Sequence, residues 1–577
     1  MDYGVEIREI PMSLRSSLDA IDGLLSANNL RRDEMSVYYG IFDSEDTLVG
    51  GGGLDTRHGI IKCVAISPDY RGSGVANSLI SRLRAEARLH GFNRITVSTK
   101  PEYEVLFRDL AFHPVGSTDE AVLLESTARG LKDYLESLSA HRKAGRNGII
   151  VMNANPFTIG HRYLVASSAA KVDNLYVLVV EDDRSIFPYS IRRKMVEKGT
   201  GDLPNVTVLS TGAYSVSTET FPSYFLKQRD DATDVSIKLD LDIFVRHIAP
   251  ALGATVRFAG SEPADPLTAR YNELMAEILP KHGIEFREIE RIGDSGSLVV
   301  SASRLRKYLA DGEFEDALGI YGSDPAILLA WLARNALTAE LDLTPKPGLV
   351  DRHDNGAHTD MDYRLMLRSI DALTPGLMEI AAETGSEPNI DAGIRTENHM
   401  FEATNGINTH KGAIFAMGLT LYCANKLIRH GRRLTPESLS MEIAAAAAGL
   451  KGGHNTHGET VRKNTCSKAG ALEMARSGYA SLFNSWLPFL RSNRNGQLAL
   501  HRLLLKIITE LDDTNVLHRA GESGAAWLRN RAGEVLENCS LASVEALNRD
   551  CIERNISPGG AADMLALTIL IDSIVLQ

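Results

Sequence analysis

Between residues 147 and 318 the chain repeats one pattern, a short β-rich run followed by a stretch of helix length. The runs are "GIIVMNA", "NLYVLVVE", "NVTVLST", "TVRFAGS" and "EFREIER". Strands that return only after a helix pair in parallel, so the alternation predicts a central α/β domain with crossover helices. On either side the texture changes. Residues 1–125 mix β-rich runs such as "IIKCVAI" (60–66) and "RITVST" (94–99) with helix patterns, which predicts an α+β domain. Residues 126–146 set Leu131, Tyr134, Leu135 and Leu138 at helical spacing and predict a connecting helix. After the turn-forming "YGSDP", residues 326–577 are rich in Ala and Leu with few β-branched runs, and an all-α domain is expected. A chain of 577 residues is too long for one ordinary core.

The net charge of -12 argues against a general binder of nucleic acid or anionic membrane, so any nucleotide site must be a local pocket. The five cysteines are sparse and contain no CxxC pair, which fits reduced thiols. The N-terminus lacks the basic and apolar regions of a signal peptide. No apolar run reaches the roughly 18 residues of a membrane span. A soluble, cytoplasmic protein is expected.

In "NGIIVMNANPFTIGHRYLV" (147–165) a strand runs through a turn into a helix start. Backbone N–H groups at such a start favour phosphate. Gly160 lets the backbone approach closely, and the His161 imidazole can donate to an α-phosphate oxygen. Thr158-x-Gly160-His161 has the form of the nucleotidyltransferase (H/T)xGH motif. By itself it is also a plain strand–turn–helix junction with a capping threonine. The second piece is "VVSASRLRKYL" (299–309), where Ser301, Ser303 and Arg306 form S-x-S-x-x-R at a helix start. There the hydroxyls suit β,γ-phosphates, and the arginine suits charge growing in a transition state. Adenylyl transfer on a Rossmann-like parallel sheet becomes the favoured chemistry.

With "GAYSVSTETFPSYFLK" (212–227) and "RFAGSEPADPLTARYN" (257–272), these motifs resemble the citrate lyase ligase family over most of residues 1–318. The resemblance implies that ATP activates acetate as acetyl-AMP with release of pyrophosphate. The acetyl group then passes to the prosthetic-group thiol on the citrate lyase acyl carrier protein. It places Thr158 and His161 at the phosphates, with Ser301, Ser303 and Arg306 opposite. Arg192 reads as a further phosphate contact or as a surface salt bridge. Glu262, Asp265 and Asn272 are candidates for the acetate or nucleotide pocket. In "SPDYRGSGVANSLISRL" (67–83), Arg71-x-x-Gly74-x-Ala76 resembles the pyrophosphate loop of GNAT acetyltransferases, whose backbone N–H groups hold coenzyme A. Two readings stand for that domain: a grip on the pantetheine arm of the carrier, or a retained fold with a structural role.

The helical region opens with "LTPKPGLVDRHDNGAHTDMDY" (343–363), either a solvated acidic loop or a magnesium–phosphate site. Together with "ATNGINTHKGAIF" (403–415), "DTNVLHRAGESG" (513–524) and "RNISPGGAADMLAL" (554–567), it resembles the triphosphoribosyl-dephospho-CoA synthase family. The implied reaction joins ATP to 3′-dephospho-CoA and expels adenine, making the precursor of the same prosthetic group. An oxocarbenium-like state calls for nearby carboxylates, and the triphosphate calls for cations. Lys346, Lys411 and Arg352 are the basic candidates. Asp351 and His358 are candidates for the base that takes the 2′-hydroxyl proton. Asp360, Asp362, Asp513 and Asp563 are candidates for Mg²⁺. Asn408, His410, Asn515, Ser557, Gly559 and Gly560 complete the substrate-binding set. One departure stands out: "AGALEMARSGYAS" (469–481) has Leu472 and Ala480 where the family often has Arg and Pro. The expectation is a bifunctional fusion enzyme. Two alternatives are a ligase with a silent helical carrier-binding module, and a pantetheine-phosphate-type adenylyltransferase with an unrelated tail.

Overall fold

The computed structural model describes residues 4–181, 185–215, 221–222, 224–226, 231–262, 265–291, 300–450 and 470–576. Parts of the strings 212–227 and 257–272 therefore lie outside the described residues. The chain divides into two compact units: Met1–Asn155 with Gly160–Val299, and Pro156–Ile159 with Val300–Gln577.

The first unit holds two sheets. One has seven strands, in the order Glu6–Glu9, Val37–Phe42, Leu48–Asp55, Ile60–Ile66, Thr96–Thr99, Val122–Glu125, His113–Ser117. Its ladders are antiparallel except between Ile60–Ile66 and Thr96–Thr99. Those two strands run parallel and pair only at Ile60–Thr96 and Ile61–Val97 before the ladder ends. The helix Val75–Leu89 packs Leu79 and Leu83 on one face with Ile41, Leu54 and Val97. The opposite face carries Cys63 and Ala65, and is covered by Leu24 and Leu25 together with Phe221, Tyr224 and Phe225. Where the parallel ladder stops, the Tyr224 hydroxyl donates to the Ser98 carbonyl at 3.1 Å. Part of the long string 212–227 thus packs on the seven-stranded sheet.

The second sheet is parallel throughout, in the order Val206–Ser210, Asn174–Val179, Asn147–Met152, Ala254–Gly260, Glu285–Ile289. Chain order reverses between Asn147–Met152 and Ala254–Gly260. At such a switch point the loops leaving two neighbouring strands part and open a crevice at their C-terminal ends. The connecting segment forms the helix Gly130–Ser139, and its Leu131, Tyr134, Leu135 and Leu138 pack into the core of this sheet.

In the second unit the described residues from Val300 onward form helices joined by loops. Its central helices are almost fully apolar. Pro325–Asp342 buries Leu328, Leu329, Ala333 and Leu337, and Gly559–Ile574 buries Leu565, Leu567 and Ile571. The helices Ala302–Asp311 and Phe314–Ile320 belong to this unit, where Glu315 pairs with Arg433 at 2.9 Å. Gly322 donates its N–H to the Phe157 carbonyl at 3.1 Å, beside a bridge between Thr158 and Tyr321. Among the described residues no helix is long and apolar enough to cross a membrane.

Candidate active sites

In the parallel sheet, the loop Asn153–Thr158 leaves Asn147–Met152 at the switch point, and the helix Ile159–Ala169 follows at once. His161 lies in the first turn of that helix. Burial, and then the Arg291 charge, push its imidazole down to about 4, so it is neutral at ordinary pH. A neutral imidazole can donate one hydrogen bond without adding a buried cation. Arg192 is fully buried, away from the surface position the sequence allowed, and donates to the carbonyls of Phe187, Asn153 and Val180 at 2.7–2.9 Å. These bonds hold the loop that precedes its helix against the switch-point loop.

A shallow pocket on this sheet is lined by Ser261, Glu262 and Asn272 among others. Glu262 pairs with Arg291, and Asn272 donates to the Gly260 carbonyl at 3.0 Å and to Glu288 at 2.8 Å. Asp265 caps the helix Pro266–Ile278 by accepting from the Leu267 N–H. In the other sheet Gly74 stands at the N-cap of Val75–Leu89 with φ +87, a left-handed conformation that a Cβ disfavours. Arg71 beside it donates to the Ile66 carbonyl and to Asn28 Oδ1.

In the second unit Ser301 caps Ala302–Asp311 by accepting from the Arg304 N–H at 3.2 Å, and Arg306 donates to Ser303 Oγ at 2.9 Å. Burial lowers the affinity of Arg306 for its proton. Thr158 is buried against Tyr321 and Gly322.

Three helix N-termini meet farther along this unit. Asp513 caps Thr514–Glu537 with one carboxylate oxygen and accepts from the Ala561 N–H with the other, at 2.9 Å, which joins that helix to the start of Gly559–Ile574. Asp563, one turn into Gly559–Ile574, faces the start of Lys411–Arg429 so closely that a Cβ on Gly412 would meet Asp563 Oδ2 at 2.1 Å. An alanine there would have to displace that carboxylate. Aligned helix dipoles make this junction suited to a polyanion.

Glu340 and Lys346 are buried and paired at 2.6 Å. Burial, then Glu340, then Asp513 raise Asp563 well above the usual carboxyl range. Burial likewise raises Asp513, against four backbone N–H groups that lower it. His410 bonds Ser369 Oγ through Nδ1 at 2.8 Å, while its buried Nε2 has no partner among the described residues. Burial and then Lys346 push it down to about 3. The Tyr479 hydroxyl is also buried with no partner among the described residues, in a residue held at φ +52.

The loop 343–358 is self-organised. Asp351 is buried and accepts from the N–H groups of Lys346, His353 and Asp354 at 2.7–3.1 Å, so both its oxygens are committed to shaping the loop. His358 contacts Ser557 Oγ through Nε2 at 2.8 Å and Arg519 Nη2 through Nδ1 at 3.2 Å. Neither nitrogen is left for the proton of an attacking hydroxyl. Arg352 pairs with Asp342, Lys411 with Glu397, and Asn408 Oδ1 accepts from the Lys411 N–H. A Cβ on Gly559 would meet Asn515 Nδ2 at 2.8 Å, and one on Gly560 would meet Asp513 Oδ2 at 3.0 Å.

For Mg²⁺, Asp362 caps Tyr363–Ala382 and Asp360 lies 3.6 Å from His358 Nδ1. Among the described residues no group of three or more His, Cys, Asp or Glu is arranged to hold a metal by itself. The buried junction nonetheless sets three carboxylates, Glu340, Asp513 and Asp563, against one lysine. Carboxyls that burial keeps from ionising suit a hard cation, which would hold one or two of them ionised and complete its shell with phosphate and water.

Glu340, Arg519 and Tyr479 were not singled out from sequence. Glu340 had a signal: it lies on the same helix face as Ala333, Ala336 and Leu337, where a charge needs a partner.

A nucleotide-type parallel sheet joined to a GNAT-like sheet, followed by a helical unit with a polar buried centre, defines a fusion of two enzymes. Family models match as "Citrate lyase ligase C-terminal domain" over residues 147–320, "ATP:dephospho-CoA triphosphoribosyl transferase" over 327–576, and "Acetyltransferase (GNAT) family" over 7–105. The [citrate [pro-3S]-lyase] ligase of Escherichia coli (strain K12) is 38% identical over 330 residues, covering 56% of this chain and 92% of that protein. The [citrate [pro-3S]-lyase] ligase of Klebsiella pneumoniae is 39% identical over 298 residues, 50% of this chain and 85% of that protein. The probable 2-(5''-triphosphoribosyl)-3'-dephosphocoenzyme-A synthase of Azotobacter vinelandii is 38% identical over 264 residues, 42% of this chain and 89% of that protein. The chain belongs to the citrate lyase ligase family in its N-terminal part and to the triphosphoribosyl-dephospho-CoA synthase family in its C-terminal part.

Proposed function

We propose that the chain is a bifunctional enzyme of citrate lyase activation. One activity acetylates the prosthetic-group thiol of the citrate lyase acyl carrier protein through acetyl-AMP. The other makes 2′-(5′′-triphosphoribosyl)-3′-dephospho-CoA from ATP and 3′-dephospho-CoA, releasing adenine. The observation that carries the ligase half is the loop Asn153–Thr158 leaving the first strand of the parallel sheet at its switch point, with neutral His161 following.

In the ligase half His161 donates to the α-phosphate as pyrophosphate departs. The motif of Ser301, Ser303 and Arg306 is assigned to phosphate binding on its sequence alone. The pyrophosphate loop at Arg71, Gly74 and Ala76 grips the pantetheine arm of the carrier. In the synthase half the junction of helix N-termini receives the triphosphate, with Lys346 supplying positive charge. Asp513 and Asp563 would hold magnesium, which would supply positive charge against the triphosphate. With cations bound to hold Asp513 and Asp563 ionised, the buried carboxylates would stabilise the ribosyl cation as adenine leaves. A silent helical module would gain nothing from keeping three buried carboxylates with one lysine, so the active reading is favoured.

Mass spectrometry of the carrier subunit after exposure to ATP and acetate tests the ligase half. A gain of one acetyl group, abolished by His161→Ala, is expected; no gain with the unchanged enzyme removes that reading. Adenine release from ATP and dephospho-CoA tests the synthase half in the same way.

A further inference from the structure

We propose that Arg519 is a positioning residue for nucleotide binding in the helical unit: through the His358 imidazole it commits the Ser557 hydroxyl to donate its proton to a phosphate oxygen. The inference rests on the synthase reading of that unit. A guanidinium has only donors, so the nitrogen facing it must offer a lone pair. Arg519 Nη2 lies 3.2 Å from His358 Nδ1, which makes Nδ1 the acceptor. In a neutral imidazole the proton then sits on Nε2, and this N–H donates to Ser557 Oγ at 2.8 Å.

A hydroxyl that accepts from an imidazole turns its own proton elsewhere. Ser557 is 2% exposed, and no acceptor for that proton is found among the described residues. The residue stands just ahead of Gly559–Ile574, a 16-residue helix whose positive end already draws the Asp513 carboxylate. A buried donor at a helix N-terminus selects a ligand that is an acceptor and an anion, and the phosphate oxygens of a nucleoside triphosphate are both.

The guanidinium itself ties three segments together. Nη1 donates to the Ala357 carbonyl at 2.9 Å and to Asn555 Oδ1 at 3.3 Å, so the loop 343–358, the helix Thr514–Glu537 and the turn before Gly559 are fastened at one point. The Asp360 carboxylate stands 3.6 Å from Nδ1, outside hydrogen-bond distance, and does not displace the arginine.

Two measurements on the full chain test the relay. The first is nitrogen-15 NMR of histidine-labelled protein, with the His358 signal assigned by its absence from a His358→Gln sample. A protonated Nε2 and bare Nδ1 are expected; the opposite tautomer overturns the proposal. The second is the KM for ATP in adenine release. Arg519→Met and His358→Ala raise it by about tenfold, with kcat changed by less than about threefold. Arg519→Lys and His358→Gln recover most of the loss, because a lysine keeps a donor and a glutamine amide can accept from Arg519 while donating to Ser557. If His358→Gln instead lowers kcat by more than about a hundredfold, His358 is a proton acceptor and the relay is wrong. Should the unchanged enzyme release no adenine, the synthase reading fails, and the tautomer alone decides the relay.

Discussion

Lys346 Nζ donates to Glu340 Oε1 at 2.6 Å, and both residues are almost fully removed from solvent. A buried pair adds little against an apolar pair of the same shape, but removing one partner strands a charge. Lys346→Met is therefore expected to destabilise the helical unit by about 3–5 kcal/mol, and Lys346→Met with Glu340→Gln by less. Denaturant unfolding of the three proteins measures the difference. Equal losses in the single and double variants would show that the pair is not what holds this centre.

Two buried histidines should weaken the protein in acid, while the raised carboxyls of Asp513 and Asp563 act in the opposite sense. His410 is pushed down to about 3 and His161 to about 4, while an unfolded histidine titrates near 6.5. Below about 6.5 the unfolded chain binds protons that these folded sites refuse, so stability falls as pH drops toward 4 and is unaffected by them above 7. For His410 the slope is about 1.4 kcal/mol per pH unit in that window. Unfolding from pH 7.5 to 5 reads it, and His410→Gln should flatten part of the curve.

Gly412→Ala forces a methyl group to within 2.1 Å of Asp563 Oδ2. Adenine release is expected to fall by at least about tenfold, while acetylation of the carrier subunit stays near its starting rate. Loss of both activities would mean that the substitution unfolds the chain instead of displacing one carboxylate.

Arg192→Met leaves the carbonyls of Phe187, Asn153 and Val180 without their donor. A loss of about 2–4 kcal/mol in stability is expected, from stranded buried acceptors. A pure phosphate contact would instead raise the KM for ATP and leave stability alone, so measuring both assigns the residue.

The strand runs of the parallel sheet and the change to helices were legible because side-chain periodicity is a local property. Each run could be read without knowing its neighbours, and Leu131, Tyr134, Leu135 and Leu138 marked their own buried face. The phosphate-type motifs were legible for a similar reason, since a glycine, a hydroxyl and a base at a helix start are contiguous in the chain. What such residues do was less legible, because helix caps use the same residue types. Asp362, Asp513 and Ser301 each cap a helix, whatever else they bind.

By itself the sequence determined which segments are strands and helices, where the texture changes, and which short motifs stand at helix starts. Tertiary structure decided who faces whom. It buried Arg192 among carbonyls, committed both oxygens of Asp351 to its own loop, brought Glu340 beside Asp563, and tied Arg519 to His358 across the chain. Those outcomes depend on desolvation and on the competition of several donors for one lone pair. Both are set by residues far away in sequence, and no local pattern encodes them.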